Sequence, residues 1–365
     1  MTTTNRLAND LDNILARTEQ LWADLRGERI LITGATGFFG CWLLESFAWA
    51  NRRLNLNAHA VALSRRPETL AEKAPHLAAD PAITPHAADI CSGNFPEGQF
   101  LHVIHAATEA SAKLNAQAPS VMFDTIVEGT RRTLEFATDH SVRRLLFISS
   151  GAVYGKQPPH VAHIEESFDG GPNPLDRAAA YAEGKRAAEM LCALAAAPGL
   201  EISIARCFAF VGPYMPIDTH FAIGNFISDS LRGGPIEVKG DGSAVRSYLY
   251  ASDLAVWLWT MLFKGRSGCA YNVGSEDALN VATLAREVAA AVPQSIIVNI
   301  GSTPIPGALV HRYVPSTARA RHELGLSVEV PLRDAIDRTR AWFASEAASA
   351  LSQKQQVLAA RGAHA

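Results

Sequence analysis

The stretch RILITGATGFFG, from Arg29 to Gly40, limits what this chain can fold into more than any other. A short apolar run of strand length, Arg29–Thr33, ends in glycines, and a helical pattern follows from Phe39 to Asn51. Gly34, Gly37 and Gly40 let the backbone turn tightly and approach a diphosphate. The helix start beyond them offers unpaired N–H groups and the positive end of a dipole. An ordinary strand-to-helix turn also uses glycine. The position of this triplet at the first strand–helix junction favours dinucleotide binding by Thr33, Gly34, Thr36, Gly37, Phe38, Phe39 and Gly40.

The rest of the chain repeats that rhythm. Further apolar runs lie at Ala58–Ser64, Leu101–Ala107, Leu145–Ser150 and Glu201–Arg206, with helical patterns at about Pro119–His140 and Tyr181–Ala196. Strands alternating with helices of this length predict an α/β fold with a Rossmann-type, doubly wound parallel sheet. Strands buried on both faces read as unbroken apolar runs, as these do. Residues 1–27 read as an amphipathic leader helix, 28–206 as the nucleotide-binding domain, and 207–345 mainly as a smaller C-terminal substrate-binding lobe interleaved with it. Residues 346–365 form a tail that is either a frayed helix or disordered.

Composition narrows the partners. Lys plus Arg total 33 against 36 Asp plus Glu, a net charge of −3, so neither nucleic acid nor an anionic membrane is implied. The five scattered cysteines form no CxxC pair, which predicts reduced thiols in a cytoplasmic protein, no disulfide framework and no metal site. The start lacks the apolar core of a secretory signal, and no apolar run reaches membrane-spanning length.

At the end of the second strand an acid would favour NAD through the ribose hydroxyls. Ser64, Arg65 and Arg66 stand there instead. Guanidinium groups suit a 2′-phosphate, so the reading leans toward NADP, with NAD the alternative. Asp89 and Ile90, before a later turn, are placed beside the adenine. Tyr181 and Lys185 share a helix face at i, i+4 spacing. A nearby ammonium favours phenolate, which makes Tyr181 a candidate general base, and Lys185 can also hold the nicotinamide ribose. Ser150 ends an apolar strand, where its hydroxyl can bond a substrate oxygen.

Together TGATGFFG, HAAT (His105–Thr108), SSGAVYG (Ser149–Gly155), YAEGK (Tyr181–Lys185) and KGDGSAVRSYLYASDLA (Lys239–Ala255) resemble the extended short-chain dehydrogenase/reductases over about residues 28–345. Members of that branch modify nucleotide-diphosphate sugars. The resemblance implies catalysis by Ser150, Tyr181 and Lys185, and cofactor contacts from Ala106, Ala107 and Thr108. It implies substrate contacts from Thr108, Ser150, Asn225, Arg246 and Arg312, with the arginines on the diphosphate. It further implies a homodimer paired through Pro119–His140 and Tyr181–Ala196.

Three departures from the family pattern shape the expected reaction. The branch's 4,6-dehydratases place Asp-Glu directly after the catalytic hydroxyl residue, and its decarboxylases keep the second acid. Here Gly151 and Ala152 stand there, and neither transfers a proton. Ala209 replaces an asparagine that usually contacts the sugar, and Thr125–Thr130 lacks another amide near the active site. The expected activity is hydride transfer at C4 of a nucleotide-diphosphate sugar, by a 4-epimerase or a 4-ketoreductase. The alternative is a 4,6-dehydratase or decarboxylase drawing its acid and base from elsewhere, with Glu109 one candidate. A third reading is a non-catalytic nicotinamide-binding sensor. Such proteins usually lose the tyrosine or lysine, and both persist here.

Overall fold

The computed structural model describes residues 5–108, 112–217, 221–305 and 307–362. Six strands of the main sheet are β1 (Arg29–Thr33), β2 (His59–Ser64), β3 (Ile83–Ala87), β4 (His102–His105), β5 (Arg144–Ser150) and β6 (Glu201–Cys207). A seventh, Ala270–Val273, arrives from further along the chain. The spatial order is Ala270–Val273, β6, β5, β4, β1, β2, β3, and every pairing is parallel. This is the expected doubly wound sheet.

Helices Phe38–Leu54 and Ala251–Lys264 cover one face, around Trp42, Phe47, Trp257 and Trp259. Helices Pro119–Asp139 and Ala180–Ala195 cover the other, around Met122, Ile126, Ala188 and Cys192. Two buried faces explain the unbroken apolar runs Ile30–Ile32 of β1 and Leu145–Ile148 of β5. The sequence reading had no counterpart for β3, because only Ile83 of ITPHA is buried. β3 lies at the sheet edge, where Pro85 costs no internal ladder bond.

The leader differs from a single helix. Ala8–Thr18 is α-helical, and Glu19–Leu25 tightens into a 3₁₀ helix. At three residues per turn, Trp22 and Leu25 share a face, and both are fully buried. Trp22 packs against Trp259 with ring centroids 4.6 Å apart, so the leader is part of the core on that side of the sheet.

Beyond Cys207 the chain adds smaller sheets and further helices. A three-stranded sheet, Leu279–Asn280, Val245–Arg246 and Arg312–Tyr313, lies there with helices Ala222–Leu231 and Val281–Ala290. Ala251–Lys264 and Ala270–Val273 return to the main sheet between these elements. The stretch beyond Ala344 continues a helix that runs from Leu332 to Gly362.

Candidate active site

The glycine turn joins β1 to the Phe38–Leu54 helix. Gly34 has a φ of +68°, and a β-carbon there would lie 2.6 Å from the Ala106 carbonyl oxygen. A β-carbon on Gly40 would lie 2.4 Å from the Ala35 carbonyl oxygen. Both positions therefore require glycine. Thr33 fastens the turn to the end of β4, its hydroxyl accepting the Ala106 and Ala107 N–H groups at 3.1 Å each. His105 reaches the same hydroxyl at 2.8 Å and is stripped of water, which pushes its pKa down to about 3. No side chain caps the Phe38–Leu54 helix, so its first N–H groups are left for an anion. This cradle suits the pyrophosphate of a dinucleotide.

At the end of β2 the Ser64 and Thr36 hydroxyls lie 2.9 Å apart, and Arg65 follows directly. Lys73 adds a cation the sequence reading passed over, donating to the Thr36 carbonyl at 2.9 Å. Asp89 turns inward on its own loop, accepting the Cys91 N–H at 2.8 Å. Ile90 is buried against Gly129. These residues border the expected adenosine end.

Ser150, Tyr181 and Lys185 come together at the ends of β5 and β6. Lys185 is buried and donates to the Ile148 carbonyl at 2.7 Å and the Thr108 hydroxyl at 2.9 Å. Burial pushes its pKa down to about 8. Burial also pushes the Tyr181 phenol above its ordinary value, and a side-chain hydrogen bond with Ser150 offsets part of that. The expectation that the Lys185 ammonium tunes Tyr181 is corrected here: burial, Ser150 and Cys207 act on the phenol, and the ammonium is spent on Ile148 and Thr108. The Ser150 Oγ accepts the Ala152 N–H at 3.2 Å. Asn115 holds the start of the Ala180–Ala195 helix, accepting the Tyr181 N–H at 3.0 Å and donating to the Ala178 carbonyl at 2.9 Å.

Behind that helix, Glu189 accepts from Ser149 at 2.5 Å and pairs with the Arg206 guanidinium at 2.7 Å. Arg206 also donates to the Tyr154 hydroxyl at 2.9 Å. This partly buried network ties the Ala180–Ala195 helix to β5 and β6.

The wall beside Ser150 is aromatic. A β-carbon on Gly151 would lie 2.6 Å from the Phe208 ring. Phe208 in turn packs 4.6 Å from the Tyr313 ring. The Tyr313 hydroxyl donates to the Cys207 carbonyl at 3.5 Å, and burial pushes its phenol well above the ordinary range. Neither aromatic carries a local sequence signal, because chain segments more than fifty residues away bring each to Ser150.

In the three-stranded sheet, Arg246 faces Tyr313 across paired strands, its guanidinium 6.0 Å from the ring. In this geometry it donates to the Val245 and His311 carbonyls at 2.8 and 3.1 Å. Arg312 lines a cavity of about 820 Å³ with Asp241, Ser243, Asn280, Arg286 and Leu309. Asn225 is half-buried in the first turn of the Ala222–Leu231 helix, and no described contact joins it to Ser150 or Tyr181. Glu109 lies outside the described residues. Among the described residues no group of side chains is arranged to hold a metal, and no helix is long and apolar enough to cross a membrane.

The family model described as the NAD dependent epimerase/dehydratase family matches residues 30–274. UDP-glucuronic acid decarboxylase 1 of Arabidopsis thaliana is 28% identical over 312 residues, covering 85% of this chain and 68% of the relative. UDP-glucuronic acid decarboxylase 6 of the same plant is 29% identical, covering 84% of this chain and 86% of the relative. Among solved structures, a dTDP-glucose 4,6-dehydratase of Streptomyces venezuelae with NAD and TYD bound superposes with a TM-score of 0.72 at 25% identity, covering 86% of this chain and 96% of that one. The fold, the glycine turn and the Ser150, Tyr181 and Lys185 cluster thus have one explanation: the chain belongs to the NAD-dependent epimerase/dehydratase family of extended short-chain dehydrogenase/reductases.

Proposed function

We propose that this protein moves a hydride at C4 of a nucleotide-diphosphate sugar, as a 4-epimerase or a 4-ketoreductase. The carrying observation is the Phe208 ring packed over Gly151, beside Ala152. The family's dehydratases hold an acid and a base at these two positions, and its decarboxylases hold the second. In this chain an apolar ring fills that space, so a proton at C5 meets no base there.

The roles of the residues follow from their positions. Tyr181 exchanges a proton with the C4 oxygen, and Ser150 hydrogen-bonds that oxygen and polarises it. Lys185 is held by Ile148 and Thr108 where it meets a nicotinamide ribose. Bound nicotinamide supplies the hydride chemistry. Arg246 and Arg312 take the diphosphate, for which Arg246 must leave its carbonyl partners. Arg65, with Ser64 and Thr36, supports NADP as the preferred dinucleotide, and NAD is the alternative.

Two experiments test this reading. The dinucleotide released on denaturing the purified protein separates the outcomes: a stoichiometric retained cofactor indicates an epimerase or, failing that, a dehydratase, and an empty protein that prefers NADPH indicates a reductase. Turnover of UDP-glucose or dTDP-glucose in D₂O should leave the C5 hydrogen in place. Exchange of that hydrogen for deuterium, or carbon dioxide release from UDP-glucuronic acid, overturns the reading in favour of dehydration or decarboxylation. The relatives' names are the observation that keeps that second reading in view.

The family resemblance also supports a homodimer through the Pro119–Asp139 and Ala180–Ala195 helices. Val121, Met190 and Leu194 are exposed on those helices, which agrees with a covered face. Sedimentation at micromolar concentration showing only a 39.2 kDa species would reject the dimer.

A further inference from the structure

A buried carboxylate sits on the helix that starts at the dinucleotide turn. Glu45, on Phe38–Leu54, is only 1% exposed. Three donors from distant segments converge on it: the Tyr214 hydroxyl at 2.6 Å, His76 Nε2 at 2.8 Å and Asn5 Nδ2 at 3.0 Å. A charge in such a place persists only when it is paired and hydrogen-bonded, and these donors supply both.

Tyr214 has a φ of +69°, a left-handed conformation that a bulky side chain rarely adopts. Such strain survives where the surroundings over-determine it. Here Glu45 holds the phenol, and the ring packs against Trp342 with centroids 5.0 Å apart. Burial pushes the phenol's pKa up, so it stays protonated and donates. The same helix grips the turn a second time, Trp42 Nε1 donating to the Pro213 carbonyl at 2.9 Å. The residues after Tyr214 then form the seat of the Ala222–Leu231 helix. Met215 shares a core with Ile223 and Phe226, and a β-carbon on Gly224 would lie 2.8 Å from the Pro216 carbonyl oxygen. Asn225, the candidate substrate ligand, follows Gly224 directly.

We propose that Glu45 and Tyr214 are positioning residues for the sugar nucleotide: the hydrogen bond between them locks the strained turn and so holds Asn225 where it meets the substrate. This rests on the nucleotide-sugar reading above and on Asn225 as a substrate contact within it. Glu45 belongs to the helix whose uncapped start cradles the dinucleotide, so one helix serves the cofactor at its end and the substrate through its side.

The test is a double-mutant cycle on the protein saturated with NAD⁺, read by calorimetry with UDP and dTDP as probes. Tyr214→Phe keeps the ring on Trp342 and removes only the hydroxyl. It should weaken nucleoside-diphosphate binding about tenfold, the scale of one hydrogen bond to a charged group, and leave NAD⁺ affinity unchanged. Asn225→Ala should weaken the same binding at least as much. The double variant should bind no more weakly than Asn225→Ala alone, because Tyr214 acts through Asn225. In turnover of UDP-glucose or dTDP-glucose, Tyr214→Phe should raise KM and leave kcat in place. Wild-type affinity in either single variant, an equal loss for NAD⁺, losses that multiply, or a fall confined to kcat would each overturn the proposal.

A wild-type protein that binds neither UDP nor dTDP would count against the nucleotide-sugar reading instead. Amide hydrogen exchange in the NAD⁺ complex then decides the lock without a substrate. In Tyr214→Phe the Ala222–Leu231 helix should exchange about tenfold faster than in wild type, while Pro119–Asp139, on the other face of the sheet, keeps its rate. An unchanged rate in Ala222–Leu231, or an equal rise in both helices, overturns the proposal.

Discussion

Asn115 grips the helix that begins beside Tyr181: its side-chain oxygen takes the Tyr181 N–H and its amide donates to the Ala178 carbonyl, three residues back. The helix has no side-chain cap of its own, so a residue from a neighbouring helix performs that task. Asn115→Ala should cost about 1 kcal/mol of stability, as loss of a cap does. Because the frayed turn carries Tyr181, kcat should also fall. Asn115→Asp, which keeps the acceptor, should recover most of both. Thermal unfolding and turnover measured on the same preparations check this.

Tyr181→Phe removes the proposed acid–base group and leaves the ring. Turnover should fall roughly 10²–10⁴-fold while dinucleotide affinity stays the same. Equal turnover in the two proteins would remove Tyr181 from that role and revive the sensor reading.

Stability should rise with pH between about 3 and 6.5 because of His105. Its pKa is about 3 folded, against an ordinary 6.5, so in that window the unfolded chain binds the extra proton and folding releases it. Each pH unit within the window then changes unfolding free energy by about 1.4 kcal/mol for this one group. His105→Gln should flatten the slope by about that amount in urea titrations from pH 6 to pH 4. Lys185 acts in the same direction at higher pH, from about 8 to its ordinary 10.5.

Arg65→Ala should weaken NADP binding roughly tenfold, the scale of one charge-assisted hydrogen bond, and leave NAD binding nearly unchanged. Equal loss for both dinucleotides would place Arg65 away from the 2′-phosphate.

Gly40→Ala drives a methyl group into the Ala35 backbone, where no side chain can move aside. The variant should lose dinucleotide binding and at least about 1–3 kcal/mol of stability. Gly151→Ala meets only the outer edge of the Phe208 ring, which can shift, so it should be milder. Denaturant midpoints for the two variants make the comparison.

How much of this was readable beforehand follows from where the information lies along the chain. Ile30–Thr33 and Leu145–Ser150 announce themselves because two buried faces demand unbroken apolar runs. The Tyr181 and Lys185 pair is visible because both residues sit on one helix. β3 is hidden, since its exposed edge leaves a single buried residue in the pattern. Phe208, Tyr313 and Asn115 are ordinary residues until the fold brings distant segments together at Ser150 and Tyr181. Lys73 was one exposed lysine among others until its contact with Thr36 placed it at the dinucleotide turn.

The return of the chain to the main sheet at Ala251–Lys264 and Ala270–Val273 means that more than one crossing of the backbone stitches the lobe to the nucleotide-binding half. Neither half is a separable module. A single proteolytic cut cannot free one with its core intact, so a protease should leave either the nicked whole or fragments without structure. Both halves should therefore denature in one cooperative event, and a fragment ending at Cys207 should not survive as a dinucleotide-binding protein.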